Sequence, residues 1–145
     1  MCEDDSRFEL RFVKSWDLDE IVDLYKSGGW WKDEYEKKGL VSLIEGSFLF
    51  AVILDTHSKR AVGMGRLISD GSSDGYIQDV VVLQDLRGKG LGKKIISSLV
   101  SEAKKRGLEW IGLIGEPNTQ GFYEKLGFVV MKDHVPMIFK GETER

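Results

Sequence analysis

The chain has 145 residues, which suits one compact domain with a hydrophobic core of its own. Apolar residues make up 41% and charged residues 31%, the composition of an ordinary soluble globular domain. The 24 acidic and 21 basic residues give a formal net charge of -3, a balance with no electrostatic footprint for a nucleic-acid partner.

FELRFV, Phe8 to Val13, alternates apolar and polar side chains for most of its length and predicts a first strand. Asp17, with Glu20 three residues on, predicts a capping box. The helix it opens carries Leu18, Ile21, Val22 and Tyr25 on one face and should stop at Gly28-Gly29. WWKDEYEKKGLVSLIEG predicts a loop and a second helical segment. SFLFAVIL, Ser47 to Leu54, is a strand, and DTHSKR turns it into a third, AVGMGRLIS, Ala61 to Ser69. DGSSDG, Asp70 to Gly75, has the length of a hairpin loop and leads to a fourth strand, YIQDVVVL, Tyr76 to Leu83. Connections this short make the three strands an antiparallel meander.

RGKGLG, Arg87 to Gly92, follows. Leu91, Ile95, Ile96, Leu99, Val100 and Ala103 then mark an amphipathic helix ending at Gly107. LEWIGLIG, Leu108 to Gly115, is a fifth strand, reached through a helix and so parallel to the fourth. TQGFYEKLG is a short helix closed by Gly127, and FVVMK and VPMIFK are the last two strands. The order β-α-α-β-β-β-α-β-α-β-β is an α/β arrangement on one mixed sheet. We read residues 1-145 as a single domain, with 1-6 as a flexible terminus.

The lone cysteine, Cys2, excludes an internal disulfide and reads as an incidental thiol near a frayed end. His57 and His134 lie far apart and Cys2 has no partner cysteine, so no metal site is expected. No stretch approaches the roughly 20 apolar residues that span a bilayer. The start, MCEDDSRFEL, is acidic and lacks the basic and apolar regions of a signal peptide, so a cytoplasmic protein is expected.

The glycine loop has chemical content. A helix start carries unpaired N–H groups and partial positive charge, and anions bind there readily. Glycine lets backbone approach an oxygen closely. Gly88, Gly90 and Gly92 sit where strand gives way to helix, with Arg87, Lys89, Lys93 and Lys94 adding charge. A P-loop fails twice: its first glycine falls on Arg87 and its hydroxyl on Lys94. The dinucleotide fingerprint fails at Lys93, where it needs a third glycine. A phosphate cradle is favoured on these grounds over a plain turn, and the turn stays open.

VVVLQDLRGKGLGKKI resembles the acetyl-CoA signature of the GNAT superfamily of N-acetyltransferases, [QR]-x-x-G-x-[GA], met by Arg87, Gly90 and Gly92. GFYEKLGFVVM, Gly121 to Met131, is similar to the family's FYEKLGF block. LYKSGGWW, YIQDVVV and EPNTQGFYEKLGF look most like small-amine members related to plant serotonin N-acetyltransferase. The resemblance covers nearly the whole chain. It implies a mixed, mostly antiparallel sheet flanked by helices, with a splayed parallel pair formed by the fourth and fifth strands.

It also implies roles. Main-chain groups at Val80, Val81 and Val82 would pair with the pantetheine amides of acetyl-CoA, the cosubstrate, as an added strand would. The same valines read equally as a buried strand. N–H groups from Arg87, Gly88, Lys89, Gly90, Leu91 and Gly92 would hold the pyrophosphate. Asn118, Phe122, Tyr123 and Lys125 lie where the cosubstrate's far side passes. Many members carry an asparagine where this chain has Glu116, and Asn118 or Thr119 reads equally as a helix cap.

Attack of an amine on a thioester builds an oxyanion and expels a thiolate. An N–H near Val80 would stabilise the first, and the Tyr123 phenol would protonate the second. Tyr123 alone reads as an aromatic core residue; the matched block turns the reading towards acid. The amine must also lose a proton. Asp79 is the first candidate acceptor, against a reading as a solvated strand carboxylate; Asp33, Glu34, Glu36 and His134 are weaker ones. Trp30, Trp31 and Tyr35 would form an aromatic wall for a flat or cationic amine, or would pack at a helix junction. Pro136 and Met137 would line the other wall.

The expected function is acetyl-CoA-dependent N-acetyl transfer to a small primary amine. Transfer to a protein or peptide amine, or a non-catalytic acyl-CoA-binding module, are the alternatives. Homodimers are common in the family, so one is a possible partner state here.

Overall fold

The computed structural model describes residues 6–141, and Cys2 and the first five residues of the expected flexible terminus lie outside them. They divide into two compact units, Met1–Leu113 and Ile114–Arg145.

The first unit is a five-stranded sheet in chain order: β1 (Phe8–Phe12), β2 (Leu49–Asp55), β3 (Arg60–Ile68), β4 (Asp74–Val82) and β5 (Trp110–Leu113). β1 to β4 pair antiparallel, and β4 and β5 pair parallel. The expected meander is therefore present, as is the parallel fifth strand. The β4–β5 ladder runs only from Asp74↔Trp110 to Ile77↔Leu113, while β4 continues to Val82. Among the described residues of this unit, the β5 side of β4 has no strand partner past Ile77.

Helix α1 (Leu18–Ser27) begins at Asp17, whose carboxylate accepts the Glu20 N–H at 3.1 Å. The other half of the capping box is not made. Glu20 instead accepts from the Trp16 indole N–H at 2.9 Å and from the Ala61 N–H at 2.7 Å, tying α1 to β3. Gly28 caps α1 and Gly29 turns the chain with φ of 79°. After a loop comes α2 (Gly39–Gly46). Ile21, Leu24 and Tyr25 of α1 and Leu40 and Ile44 of α2 form one core with Phe50, Val52, Ala61, Met64 and Val81 of the sheet.

The opposite face takes α3 (Leu91–Lys105), which buries Leu91, Ile95, Ile96, Leu99 and Ala103 and lies on β2, β3 and β4. Gly65 permits this approach: a Cβ there would stand 2.6 Å from Ile95 Cγ2 and 3.1 Å from Val80 Cγ2. Helices on both faces give each side of the central strands an apolar cover, which is why β2 reads as a continuous apolar run.

The second unit holds α4 (Gln120–Glu124), closed at Gly127 with φ of 98°. Two expected strands, FVVMK and VPMIFK, do not form among the described residues. A strand needs a partner for its backbone groups, Pro136 has no N–H to give one, and the backbone bond at His134 is a local turn to the Met131 carbonyl.

Candidate active site

The ladder between β3 and β4 shifts register between Met64 and Arg66, opposite Asp79 and Val80. Asp79 takes up the extra residue in the left-handed region, φ 59°. A non-glycine residue held there costs of order 1 kcal/mol or more unless its surroundings fix it. Here they do. The Tyr25 hydroxyl donates to Asp79 Oδ2 at 2.7 Å, and Arg66 Nε donates to the same oxygen at 2.7 Å. The Asp79 side chain is 23% exposed and that of Arg66 16%, so the ion pair is largely shielded. Burial first, then the Asp79 charge, pushes the Tyr25 phenol well above its ordinary value and keeps it protonated.

Val80, Val81 and Val82 follow the bulge. Val81 and Val82 are buried, so their side chains pack while their backbone runs on without a β5 partner. The chain then makes a 3-10 turn (Gln84–Leu86) and reaches the glycine loop. Gly88 and Gly90 have φ of 81° and 83°, and a Cβ on either would meet nothing within 4 Å. Glycine is required there by conformation, and the loop's surface is open. Gly90 caps α3, whose first intrahelical bond runs from the Lys94 N–H to the Gly90 carbonyl. The N–H groups of Leu91, Gly92 and Lys93 precede that bond and are available to an anion. A pyrophosphate fits this loop.

Not every cation near the loop faces such a ligand. Arg87 Nε donates to the Val82 carbonyl at 3.0 Å, and Nη2 reaches the Ser27 carbonyl and hydroxyl at 3.5 Å. Its side chain ties the end of β4 to the end of α1. Lys94 Nζ donates to the Phe8 carbonyl at 2.7 Å. Lys89 is exposed on the loop itself.

Trp30, Trp31 and Tyr35 do come together. The Trp30 and Trp31 rings lie against Tyr25 at 6.2 Å and 6.4 Å, and Tyr35 stands edge-on to Trp31 at 5.4 Å. With Glu36, Gly39, Leu40 and Leu43 they line a cavity of about 350 Å³. Glu36 is its one charged wall residue, and its carboxylate pairs with Lys38 at 3.1 Å at an exposed rim.

Tyr123, Asn118, Phe122 and Lys125 lie in the second unit. Tyr123 packs edge-on to Phe122 at 5.0 Å and to Phe128 at 5.8 Å. Burial, then the Glu116 charge, raises its phenol above the ordinary value. Thr119 holds the N-cap position of α4, with its hydroxyl turned back to the Glu116 carbonyl; Asn118 turns the chain with φ of 68°. Lys125 caps the C-terminal end of α4.

Tyr25 and Arg66 were not among the residues that sequence alone singles out. Tyr25 reads there as one more core residue of α1. Arg66 carried a usable signal, a cation inside an otherwise apolar strand, which needs a partner.

Comparison with known proteins agrees with this architecture. The model of the acetyltransferase (GNAT) family matches residues 12–128. The uncharacterized N-acetyltransferase ycf52 of Porphyra purpurea is 35% identical over 131 residues, covering 90% of this chain and 75% of its own. Serotonin N-acetyltransferase 2, chloroplastic, of Oryza sativa is 36% identical over 76 residues, 52% of this chain and 38% of its own. Among solved structures, a GNAT family acetyltransferase from Streptococcus pneumoniae superposes with a TM-score of 0.78 at 24% identity, covering 94% and 99% of the two chains. The family match along most of the chain, together with the relative aligned over nine-tenths of it, shows that this protein belongs to the GNAT family and is an N-acetyltransferase.

Proposed function

We propose that the protein transfers the acetyl group of acetyl-CoA directly to the primary amine of a small molecule. The observation that carries the small-molecule reading is the aromatic cavity of about 350 Å³ between α1 and α2, one of whose walls, Tyr25, is bonded to the β4 bulge. The cavity is open to solvent, and its Trp30, Trp31 and Tyr35 rings suit the flat or cationic body of a compact amine.

Acetyl-CoA, when bound, supplies the acetyl group already activated as a thioester. The β5 side of β4 from Val80 to Val82, where Arg87 already holds the Val82 carbonyl, offers its remaining backbone groups to the pantetheine amides. The loop from Gly88 to Gly92 offers N–H groups to the pyrophosphate; the expected Arg87 N–H is instead spent on the Gln84 carbonyl at 3.2 Å, and the Arg87 side chain fixes the loop from behind. Asn118, Phe122 and Lys125 take the far side of the cosubstrate. An N–H near Val80 polarises the thioester carbonyl. Asp79 Oδ2 is occupied by Tyr25 and Arg66, so its other oxygen is the one that accepts the amine proton, directly or through water. The Tyr123 phenol, kept protonated by burial, returns a proton to the leaving thiolate. Trp30, Trp31 and Tyr35 hold the acceptor's apolar body.

Among the described residues no helix is long and apolar enough to cross a membrane. The same proposal assigns the enzyme to the cytoplasm. The rice relative is named chloroplastic, and imaging of a tagged chain in its own cell distinguishes the two compartments.

The deciding experiment mixes the protein, acetyl-CoA and panels of arylalkylamines, polyamines, amino acids and peptides, and follows free CoA thiol. Release with small amines and none with peptides is expected. Release with peptides alone would replace the small-molecule reading. Tight CoA binding without transfer to any amine would replace the enzyme with a binding module.

A further inference from the structure

Tyr25 belongs to two places at once. Its ring is a wall of the aromatic cavity, packed against Trp30 and Trp31. Its hydroxyl holds Asp79, the residue whose positive φ makes the β4 bulge. Arg66 on β3 holds the same oxygen from the neighbouring strand, with its Nη2 near Gln78 Oε1 at 3.5 Å and its Nη1 near Ser47 Oγ at 3.5 Å. Two residues before the bulge, β4 parts from β5. Directly after it come the valines whose β5 side carries no strand. So one tyrosine links the wall of the cavity to the turn that aims that backbone.

We infer that Tyr25 is a positioning residue that registers the aromatic cavity to the β4 backbone, its ring setting acceptor affinity and its hydroxyl setting the geometry of the bulge. The inference rests on the assignment of the cavity to the acceptor amine, and it extends that assignment to a residue with separable ring and hydroxyl functions. The physical grounds are that Asp79 at φ 59° costs more than a glycine would there, and that two donors converge on its Oδ2 to hold it. Without the hydroxyl, Oδ2 is held by Arg66 alone, a pairing on the sheet itself that leaves the bulge free to relax relative to α1. The cavity wall would remain.

Tyr25→Phe removes the hydroxyl and keeps the ring; Tyr25→Leu removes both. Amide hydrogen exchange on the protein without ligand reads the bulge itself. In Tyr25→Phe the amides of residues 79–82 should exchange faster by about tenfold, the effect of losing one charge-assisted bond, while those of β2 stay unchanged. In turnover, Tyr25→Phe should lower kcat about tenfold with the amine KM unchanged, and Tyr25→Leu should raise the amine KM as well. A Tyr25→Phe variant with wild-type exchange at 79–82 and wild-type kcat overturns the inference. So does one in which exchange rises uniformly over the sheet, which marks a general loss of stability. If the wild-type protein transfers to no amine, the proposed function fails separately. The inference is then judged by the exchange experiment alone, in which local acceleration upholds it and its absence overturns it.

Discussion

Tyr25 and Arg66 donate to the same oxygen, Oδ2 of Asp79, each at 2.7 Å. One comes from the helix that covers the sheet and the other from the adjacent strand. The carboxylate is thus the meeting point of α1, β3 and β4, and it sits at the residue that breaks the β4 ladder. Three elements fixed at one atom explain how a strained aspartate persists without a glycine in its place.

Removing one partner of a shielded ion pair leaves the other charged and unpaired. Arg66→Met should therefore destabilise the protein by about 2–4 kcal/mol, less than a fully buried pair because both side chains keep some solvent contact. Arg66→Lys should recover only part of this, since an ammonium cannot reproduce the Nε–H direction while its neighbouring nitrogens reach Gln78 and Ser47. Urea unfolding of the three proteins measures it; equal midpoints would show that the pair carries no stability.

Gly88 and Gly90 separate conformation from contact. A Cβ at either meets open space, yet φ near 80° strains any other residue. Gly90→Ala should cost about 1 kcal/mol of stability and weaken acetyl-CoA binding, because the N–H groups at the start of α3 would turn away from the pyrophosphate. Calorimetric titration with CoA and with CoA lacking its 3′-phosphate reads the effect. The same loss of affinity for both ligands is expected, since both keep the pyrophosphate.

Tyr123 should act as an acid over the whole working range. Burial and the Glu116 charge raise its pKa above the usual value of about 10, so its proton is retained at neutral and mildly alkaline pH. No alkaline limb from this group should appear in the kcat profile below about pH 10. Tyr123→Phe should lower kcat about a hundredfold while leaving the dissociation constant of acetyl-CoA near wild type. An unchanged kcat removes Tyr123 from the mechanism.

Asp55 should contribute to stability in acid. Arg7 donates to both its oxygens at 3.0 Å, and the His57 N–H adds a third bond at 2.9 Å. The Arg7 hydrogen bonds, outweighing burial, hold its carboxyl well below the usual carboxylate range. With the folded value depressed, the stabilisation is fully present above the unfolded pKa of about 3.9 and is lost as pH falls below it. Urea midpoints should fall as pH drops below about 4, the window that linkage gives a group with a depressed folded pKa, and Asp55→Asn should flatten that fall. At the other end, the raised Tyr25 phenol contributes stability that is lost as pH rises above about 10.

How much of this was legible in the sequence follows from the range of each signal. Local patterns were readable. Asp17 before an amphipathic run gave the start of α1, three apolar stretches with short turns gave the meander, and alternating glycines before Leu91 gave the start of α3. The cluster of Trp30, Trp31 and Tyr35 was readable because its members are nearly adjacent. Long-range pairings were not. Tyr25 and Asp79 stand 54 positions apart, and nothing near either announces the other. The bulge left no mark because aspartate tolerates the left-handed region better than most residues. FVVMK and VPMIFK look like strands to any local rule, since an apolar run reads the same whether or not its backbone groups find a partner.

The cavity offers a last test, which distinguishes its walls. Trp31 stands between Tyr25 and Tyr35, with ring centroids 6.4 Å and 5.4 Å away. Trp30 lies over Gly28, where a Cβ would fall 2.7 Å from its ring, and its N–H bonds the Tyr25 carbonyl at 3.0 Å. Trp30 is therefore part of the turn that ends α1, and Trp31 is the more separable wall. Trp31→Ala should raise the amine KM by about tenfold or more, the loss of one large aromatic contact, with kcat changed less. It should also enlarge the cavity and improve kcat/KM for amines bulkier than the preferred one. Trp30→Ala should instead lower the melting temperature by several degrees, about what a loss of 1–2 kcal/mol produces in a domain of this size. Steady-state kinetics on a graded series of amines, run beside thermal melts of both variants, separates the two roles. Equal effects of both substitutions on KM and on melting would mean that the tryptophans form one structural unit and that neither selects the acceptor.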